Sequence, residues 1–382
     1  MRFDAKWIIL VMLMFLMGGD VGAQYHTPLY NQTTPEHILT VERTTAIYVG
    51  AGRTYAQLDT LNAGTQVTLL GRTDIGTWWY IRLDDSLEGW ALAGYFVDDS
   101  TIKLSEIPII ESYHADLSRV TGELTTQLHE IPILPTISDA MHDVFALGQS
   151  LGNRPNVISK VGDSNSAQAI YLTPISKGNY DLGVYDFLGD TVDYFYDSFG
   201  IQPQSAKVGM NMFSLFEPIW SDPDFCESDE TPLLCEYRIS KPSVAVVMFG
   251  ANDVKVLNRA EYETQMRLLI EQSLEHGVIP LLLTFGSDPD LNPNHAQLLR
   301  FNLITAQLAD EYDVPLLNLW AALTDLPRNG VGEDLLHLTS TGDGMNLTGN
   351  ESFYGLSLHH LLVLQALDVI RREVLLADEI TD

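Results

Sequence analysis

The second part of the sequence alternates between short apolar runs and amphipathic segments. The runs NVISKV, SVAVVMFG and VIPLLLTFG have the unbroken apolar character of strands that are buried on both faces. Between the last two runs, YETQMRLLIEQSLEHG predicts a helix with one apolar stripe, formed by Tyr262, Met266, Leu269, Ile270 and Leu274. HAQLLRFNLITAQLADEYD followed by VPLLNLW repeats the step from helix to strand. Buried strands joined by helices predict a three-layer α/β/α domain with a parallel sheet.

A different pattern precedes this domain. The segments TAIYVG, TQVTLLGR, TWWYIRL and EGWALAGYF alternate polar and apolar residues and are separated by turns rich in glycine and aspartate. Short strands at this spacing predict a small all-β barrel or sandwich of roughly 60 residues. We expect most of its aromatic side chains to pack in the core, with Tyr48, Tyr55, Trp79 and Tyr80 as the candidates for ligand contact.

The first 23 residues have the pattern of a secretory signal peptide. Arg2 and Lys6 precede an apolar run, and Val21-Gly22-Ala23 offers a small-residue cleavage site. The apolar run is too short to cross a bilayer, so we expect a secreted or extracytoplasmic protein with no stable membrane span after cleavage. A retained anchor is the alternative.

The sequence therefore divides into four predicted parts. After the signal peptide at 1–23, the small β domain is expected at 38–100. A polar and partly helical linker at 101–131 leads to the α/β domain at 132–378.

Charge and cysteine usage narrow the partners. The chain has 21 Lys and Arg against 51 Asp and Glu, a formal net charge of −30, which argues against a nucleic-acid partner because phosphate binding needs clustered basic residues. Cys226 and Cys235 are predicted to form a disulfide in an exported protein. With no histidine near them, a zinc site is the weaker interpretation. No phosphate-binding loop or dinucleotide fingerprint is present, so no cofactor is expected.

Polar residues that can carry chemistry follow three predicted strand ends. They are Ser164 in GDSN, Asn252 in GAND, and Asp334 with His337 in GEDLLH. Because functional residues of such sheets gather beyond the carboxyl ends of the strands, we expect them to converge. Each alone is ordinary, since Gly-Asp-Ser can be a turn with a helix cap and Asp334 with His337 a loop hydrogen bond. Together and in this order they predict an acyl-transfer site.

On these three blocks, residues 132–376 resemble the SGNH, or GDSL-like, hydrolase family. The resemblance implies a flavodoxin-like α/β/α fold and ester hydrolysis through an acyl-enzyme. By the family's pattern Ser164 is the nucleophile, His337 the base and Asp334 the residue that orients the base. The oxyanion would be bound by the backbone N–H of Ser164, by Gly209 in AKVGMN and by the side chain of Asn252.

Residues 41–97 resemble bacterial SH3-like domains of exported proteins, on VGAGRTY, NAGTQV, TWWYIRL and EGWAL. That resemblance implies an accessory domain with a cell-wall or glycan ligand. Together the two resemblances predict an exported esterase, with O-acetyl groups on polysaccharide as a substrate class.

One motif departs from the family's pattern. The third block reads Asp-Leu-Leu-His where Asp-Gly-x-His is common, so bulky Leu335 stands in place of a flexible residue next to the base. This departure leaves open a second hypothesis, a non-catalytic cell-wall or glycan-binding protein that retains the hydrolase scaffold.

Overall fold

The computed structural model describes residues 37–53, 55–73, 76–84, 87–97, 102–110, 117–342 and 345–377. The predicted signal peptide and part of the predicted linker lie outside these residues. Among the residues described, no helix combines the length and the apolar character needed to cross a bilayer.

The N-terminal domain is an antiparallel sheet. Its strands are β1 (His37–Thr40), β2 (Thr45–Tyr48), β3 (Gln57–Leu61), β4 (Gln66–Arg72), β5 (Trp78–Asp84) and β6 (Leu87–Leu92). They pair in the order β1-β4-β5-β6-β2-β3. Alternating side chains such as Ile47, Leu69 and Ile81 point into a common core. The sequence pattern predicted β2, β4, β5 and β6, whereas β1 and β3 have too little alternation to stand out.

The C-terminal domain contains the predicted parallel sheet. Its strands are β7 (Arg154–Gly162), β9 (Pro242–Met248), β10 (Ile279–Leu283) and β11 (Leu316–Leu317), in the order β11-β10-β9-β7, and a small pair joins β8 (Tyr180–Asp181) to β12 (Met345–Asn346). Every residue of β9 is buried, which explains its unbroken apolar sequence. Ala206 forms a parallel bridge with Gly162, on the edge of β7 opposite β9. The resulting 2-1-3-4-5 order is flavodoxin-like.

Helices cover both faces of this sheet. The α-helices are α1 (Leu117–His129), α2 (Ala140–Leu151), α3 (Ser164–Ala167), α4 (Thr173–Ser176), α5 (Gly189–Phe199), α6 (Met212–Leu215), α7 (Pro232–Ser240), α8 (Arg259–Glu275), α9 (His295–Glu311), α10 (Leu319–Leu323) and α11 (Gly355–Ile370). A π-helical turn, Arg371–Leu375, follows α11. The predicted amphipathic helix is α8, which begins with a capping box formed by Asn258 and Glu261.

Polar contacts join the two domains. Asp59 of β3, which is almost fully buried, forms an ion pair with Arg259 at the start of α8. Arg300 of α9 donates a hydrogen bond to the carbonyl oxygen of Leu58 (3.2 Å). A cavity of about 560 Å³ beside these contacts is lined by both domains. The β3 side of the small domain therefore packs on the α/β domain.

Candidate active site

Ser164 lies where β7 ends. Gly162 closes the strand, and a Cβ atom there would come within 2.5 Å of the carbonyl oxygen of Met248, so the close approach of β7 and β9 requires glycine. Asp163 caps the next turn by accepting a hydrogen bond from the backbone N–H of Asn165 (2.8 Å). Ser164 is the first residue of α3, which has four residues, so the helix adds only a small dipole.

His337 reaches Ser164 from a loop 173 residues further along the chain. Its Nε2 atom lies 2.8 Å from Ser164 Oγ, within the distance at which an imidazole can take a hydroxyl proton. Its Nδ1 atom lies 2.6 Å from Asp334 Oδ2. With Nδ1–H donating to the carboxylate, the lone pair of Nε2 is free to accept the hydrogen bond from Ser164.

Asp334 holds both the ring and the backbone of its loop. Its Oδ1 atom accepts hydrogen bonds from the backbone N–H groups of Leu336 and His337, each at 3.0 Å. Partial burial raises the pKa of this carboxyl, but the hydrogen bonds from His337 and Leu336 outweigh that effect and lower its pKa below the ordinary value. Asp334 is therefore an ionised acceptor at neutral pH.

The backbone of Leu335 accounts for the unusual motif. Its φ angle is +59°, in the left-handed region that glycine adopts without steric cost. The fold thus keeps a glycine-like turn between Asp334 and His337 although a leucine occupies the position. The substitution does not prevent Asp334 and His337 from meeting.

Asn252 and Gly209 lie on neighbouring loops at the same edge of the sheet. Asn252 follows β9 and donates a weak hydrogen bond through Nδ2 to the carbonyl oxygen of Met210 (3.4 Å). Gly209 immediately precedes Met210, is exposed and has a φ angle of +79°. It follows the Ala206 segment that pairs with Gly162. The structure thus brings the Gly209 loop beside the Asn252 loop.

Two buried carboxyl groups lie behind these loops. Asp253 accepts hydrogen bonds from the backbone N–H groups of Met212 (2.7 Å) and Gly250 (2.8 Å), which ties the Gly209 and Asn252 loops together. Burial raises the pKa of Asp253 to about 7 and that of Asp163 to about 6, and the two carboxyls also repel each other. Asp253 thus braces the Gly209 and Asn252 loops, whereas Asp163 caps the turn that begins at Ser164.

Asn165 is a residue that the sequence reasoning did not single out. Its side chain hydrogen-bonds to the backbone of the His337 loop at Leu336 and Leu338. The GDSN motif alone does not distinguish a residue that bonds to another loop from an ordinary turn residue, because Leu336 and Leu338 are distant in the sequence.

The other predicted residues lie elsewhere. Cys226 and Cys235 form a disulfide. With Glu230 they are the one grouping of three metal-ligand side chains found among the described residues, and bonded sulfurs are not thiolate ligands.

The four aromatic candidates of the β domain differ in exposure. Tyr80 is 2% exposed and belongs to the core, so it is unsuited to ligand contact. Trp79 is half-buried and stacks on Phe96 (ring centroids 5.4 Å apart). Tyr48 is half-buried, and Tyr55 is exposed.

Comparison with known families agrees with this architecture. Residues 234–344, which include Asn252, Asp334 and His337, match the model of the GDSL-like Lipase/Acylhydrolase family. Residues 43–97 match the model of the Bacterial SH3 domain. The chain therefore has one segment similar to GDSL-like hydrolases and one similar to bacterial SH3 domains. Both predicted resemblances are therefore confirmed, and no curated protein matches the chain.

Several solved structures are similar to part of this chain. The lipase/acylhydrolase from Enterococcus faecalis is 15% identical, with 55% of this chain and 94% of that chain covered and a TM-score of 0.38. The acetylxylan esterase Axe2 from Geobacillus stearothermophilus is 17% identical, with 56% and 94% covered and a TM-score of 0.37. The psychrotrophic esterase EstA from Pseudoalteromonas sp. is 15% identical, with 56% and 97% covered and a TM-score of 0.35.

Proposed function

We propose that this protein is an exported serine esterase that hydrolyses carboxylic esters by a Ser-His-Asp mechanism. The observation that carries the proposal is the continuous chain of hydrogen bonds from Ser164 Oγ through His337 to Asp334, at 2.8 and 2.6 Å. It lies at the carboxyl edge of the parallel sheet, where α/β enzymes bind their substrates.

In the acylation step, Ser164 Oγ attacks the ester carbonyl carbon while its proton passes to His337 Nε2. Asp334 stabilises the imidazolium that forms. The tetrahedral intermediate places a negative charge on the former carbonyl oxygen, which the backbone N–H groups of Ser164 and Gly209 and the amide of Asn252 would stabilise. The carbon–oxygen bond to the leaving alcohol then breaks, and the proton on Nε2 passes to that alcohol.

Deacylation uses the same groups with water as the nucleophile. His337 takes a proton from the water molecule, the hydroxide attacks the acyl carbon, and the oxyanion occupies the same site. Collapse of the second intermediate returns the proton to Ser164 Oγ and releases the carboxylic acid. The residues proposed to act need no metal or organic cofactor.

The substrate class follows from charge and domain organisation. A net charge of −30 disfavours strongly anionic substrates, and the bacterial SH3 domain supports a cell-wall or glycan ligand. We propose esters of neutral polysaccharide, such as O-acetyl groups, as the substrates, with the small domain holding the polymer. The signal-peptide pattern and the disulfide support export.

A fluorophosphonate probe tests the proposed nucleophile. We expect the parent protein to be labelled and Ser164→Ala to be unlabelled, because the probe forms a covalent bond with an activated serine. Ser166→Ala is the matched control, since Ser166 is a buried serine in the same helical turn, and it should remain labelled. A folded parent that is never labelled would instead support the non-catalytic glycan-binding hypothesis.

Asn252→Ala tests the oxyanion site. Loss of one preorganised donor should lower kcat for p-nitrophenyl acetate about 10²-fold with little change in KM. Asn153→Ala is the control, because the Asn153 amide bonds to the carbonyl oxygens of His276 and Gly277 before β10, at the opposite edge of the sheet. Equal turnover by parent and Asn252→Ala would exclude Asn252 from the oxyanion site.

A further inference from the structure

The residue after the proposed nucleophile links the two halves of the site. Asn165 is 5% exposed. Its Nδ2 atom donates a hydrogen bond to the carbonyl oxygen of Leu336 (3.1 Å), and its Oδ1 atom accepts one from the backbone N–H of Leu338 (3.3 Å). The side chain therefore bonds to the backbone immediately before and immediately after His337.

This contact matters because the loop of His337 lies at the surface. The side chain of Asp334 is 52% exposed and that of His337 is 35% exposed. The preceding turn includes the left-handed Leu335. Within the loop, Gly332 N–H donates to the carbonyl oxygen of His337 (2.8 Å), and Asp334 bonds to the ring. These contacts shape the loop, but they do not determine its distance from Ser164.

We propose that Asn165 is a positioning residue that holds His337 Nε2 within reach of Ser164 Oγ. Ser164 and Asn165 are adjacent, so a clamp from Asn165 onto Leu336 and Leu338 makes the base and the nucleophile move together. The inference rests on the proposed esterase function and deepens it. A displacement of about 1 Å between reacting groups can cost about 10²-fold in rate, so loss of the clamp should affect chemistry more than substrate binding.

The test compares Asn165→Ala, Asn165→Asp and the parent on p-nitrophenyl acetate. Asn165→Ala should lower kcat roughly 10- to 100-fold and leave KM within about threefold, with a parallel fall in the rate of fluorophosphonate labelling. Asn165→Asp has the same size and keeps the acceptor for Leu338 N–H, but it turns a carboxylate oxygen toward the carbonyl of Leu336. It should lose a similar factor in kcat. Its acid limb in kcat/KM against pH should also move to higher pH, because the added charge favours the protonated imidazole.

Asn153→Ala again serves as the control, because it removes two amide hydrogen bonds at the opposite edge of the sheet. It should leave kcat, KM and the pH profile unchanged. The inference is wrong if folded Asn165→Ala keeps kcat within threefold of the parent, or if KM rises at constant kcat. It is also wrong if both Asn165 variants fail to fold where Asn153→Ala folds, since the role would then be structural. A parent that shows no Ser164-dependent labelling refutes the proposed function itself, whereas a labelled parent with unaffected Asn165 variants refutes this inference alone.

Discussion

We expect the substitution His359→Phe to remove a source of acid instability. His359 lies on α11, fully buried, with its ring stacked on that of Tyr171 (centroids 4.6 Å apart). Neither ring nitrogen has a hydrogen-bond partner among the described residues. Burial, and then repulsion from His360, lowers the pKa of His359 to about 3. The folded protein therefore keeps this imidazole neutral under mildly acidic conditions.

The sign and the size of the effect follow from proton linkage. The unfolded chain has an ordinary imidazole with a pKa of 6.5, so below that pH the unfolded state binds a proton that the folded state does not. The stability is fully present above pH 6.5 and is lost as the pH falls toward 3. Each pH unit well below 6.5 costs about 1.4 kcal/mol, so lowering the pH from 7.5 to 5.0 should cost the parent about 2 kcal/mol through this residue.

Urea unfolding of the parent and of His359→Phe at several pH values measures this difference. Asp163 and Asp253 titrate in both proteins, so their contributions cancel when the two curves are subtracted. Between pH 7.5 and 5.0, the free energy of unfolding of the variant should fall by about 2 kcal/mol less than that of the parent. His142→Phe is the control, because this histidine is exposed in the folded chain, and its curve should run parallel to that of the parent. A parallel curve for His359→Phe would show that burial does not suppress protonation of His359.

Four further variants test the backbone and the disulfide by urea unfolding, and kcat of the two Leu335 variants is measured on p-nitrophenyl acetate. Gly250→Ala should destabilise the fold by about 3 kcal/mol or more, because φ is +139° and the new Cβ would lie 1.8 Å from the ring of Phe285; a loss below about 1 kcal/mol would contradict this packing. Leu335→Gly should leave kcat intact and change the free energy of unfolding by less than about 1 kcal/mol, because the release of left-handed strain offsets the larger conformational entropy of the unfolded chain. Leu335→Ile, with a β-branched side chain, should be less stable and less active than the parent. Joint replacement of Cys226 and Cys235 by alanine opens a loop with a sequence separation of 9 and should cost about 2.5 kcal/mol; an unchanged midpoint would refute that estimate.

The two domain types were accessible from the sequence because they depend on local periodicity. The unbroken apolar run of β9 reflects burial on both faces of the strand, and the apolar stripe of α8 reflects burial on one face of the helix. Burial constrains the residue types within each segment, so it leaves a pattern in the local sequence. The blocks with Ser164, Asn252 and His337 were also visible, since each follows a strand or a loop of recognisable composition. Strands β1 and β3 were not predicted, because their few residues are held mainly by neighbouring strands in the sheet.

Other features were decided by tertiary structure. The contacts of Ser164 with His337 and of Asn165 with Leu336 join loops that lie about 170 residues apart in the sequence. No pattern within either loop predicts these contacts. Leucine disfavours the left-handed backbone that Leu335 adopts. This conformation persists because Gly332 accepts a hydrogen bond from the N–H of Leu335 and Asp334 accepts one from the N–H of His337. The burial of Asp59 against Arg259 likewise depends on how two domains meet. Periodicity records how each segment is buried, whereas distances between segments arise only when the whole core packs.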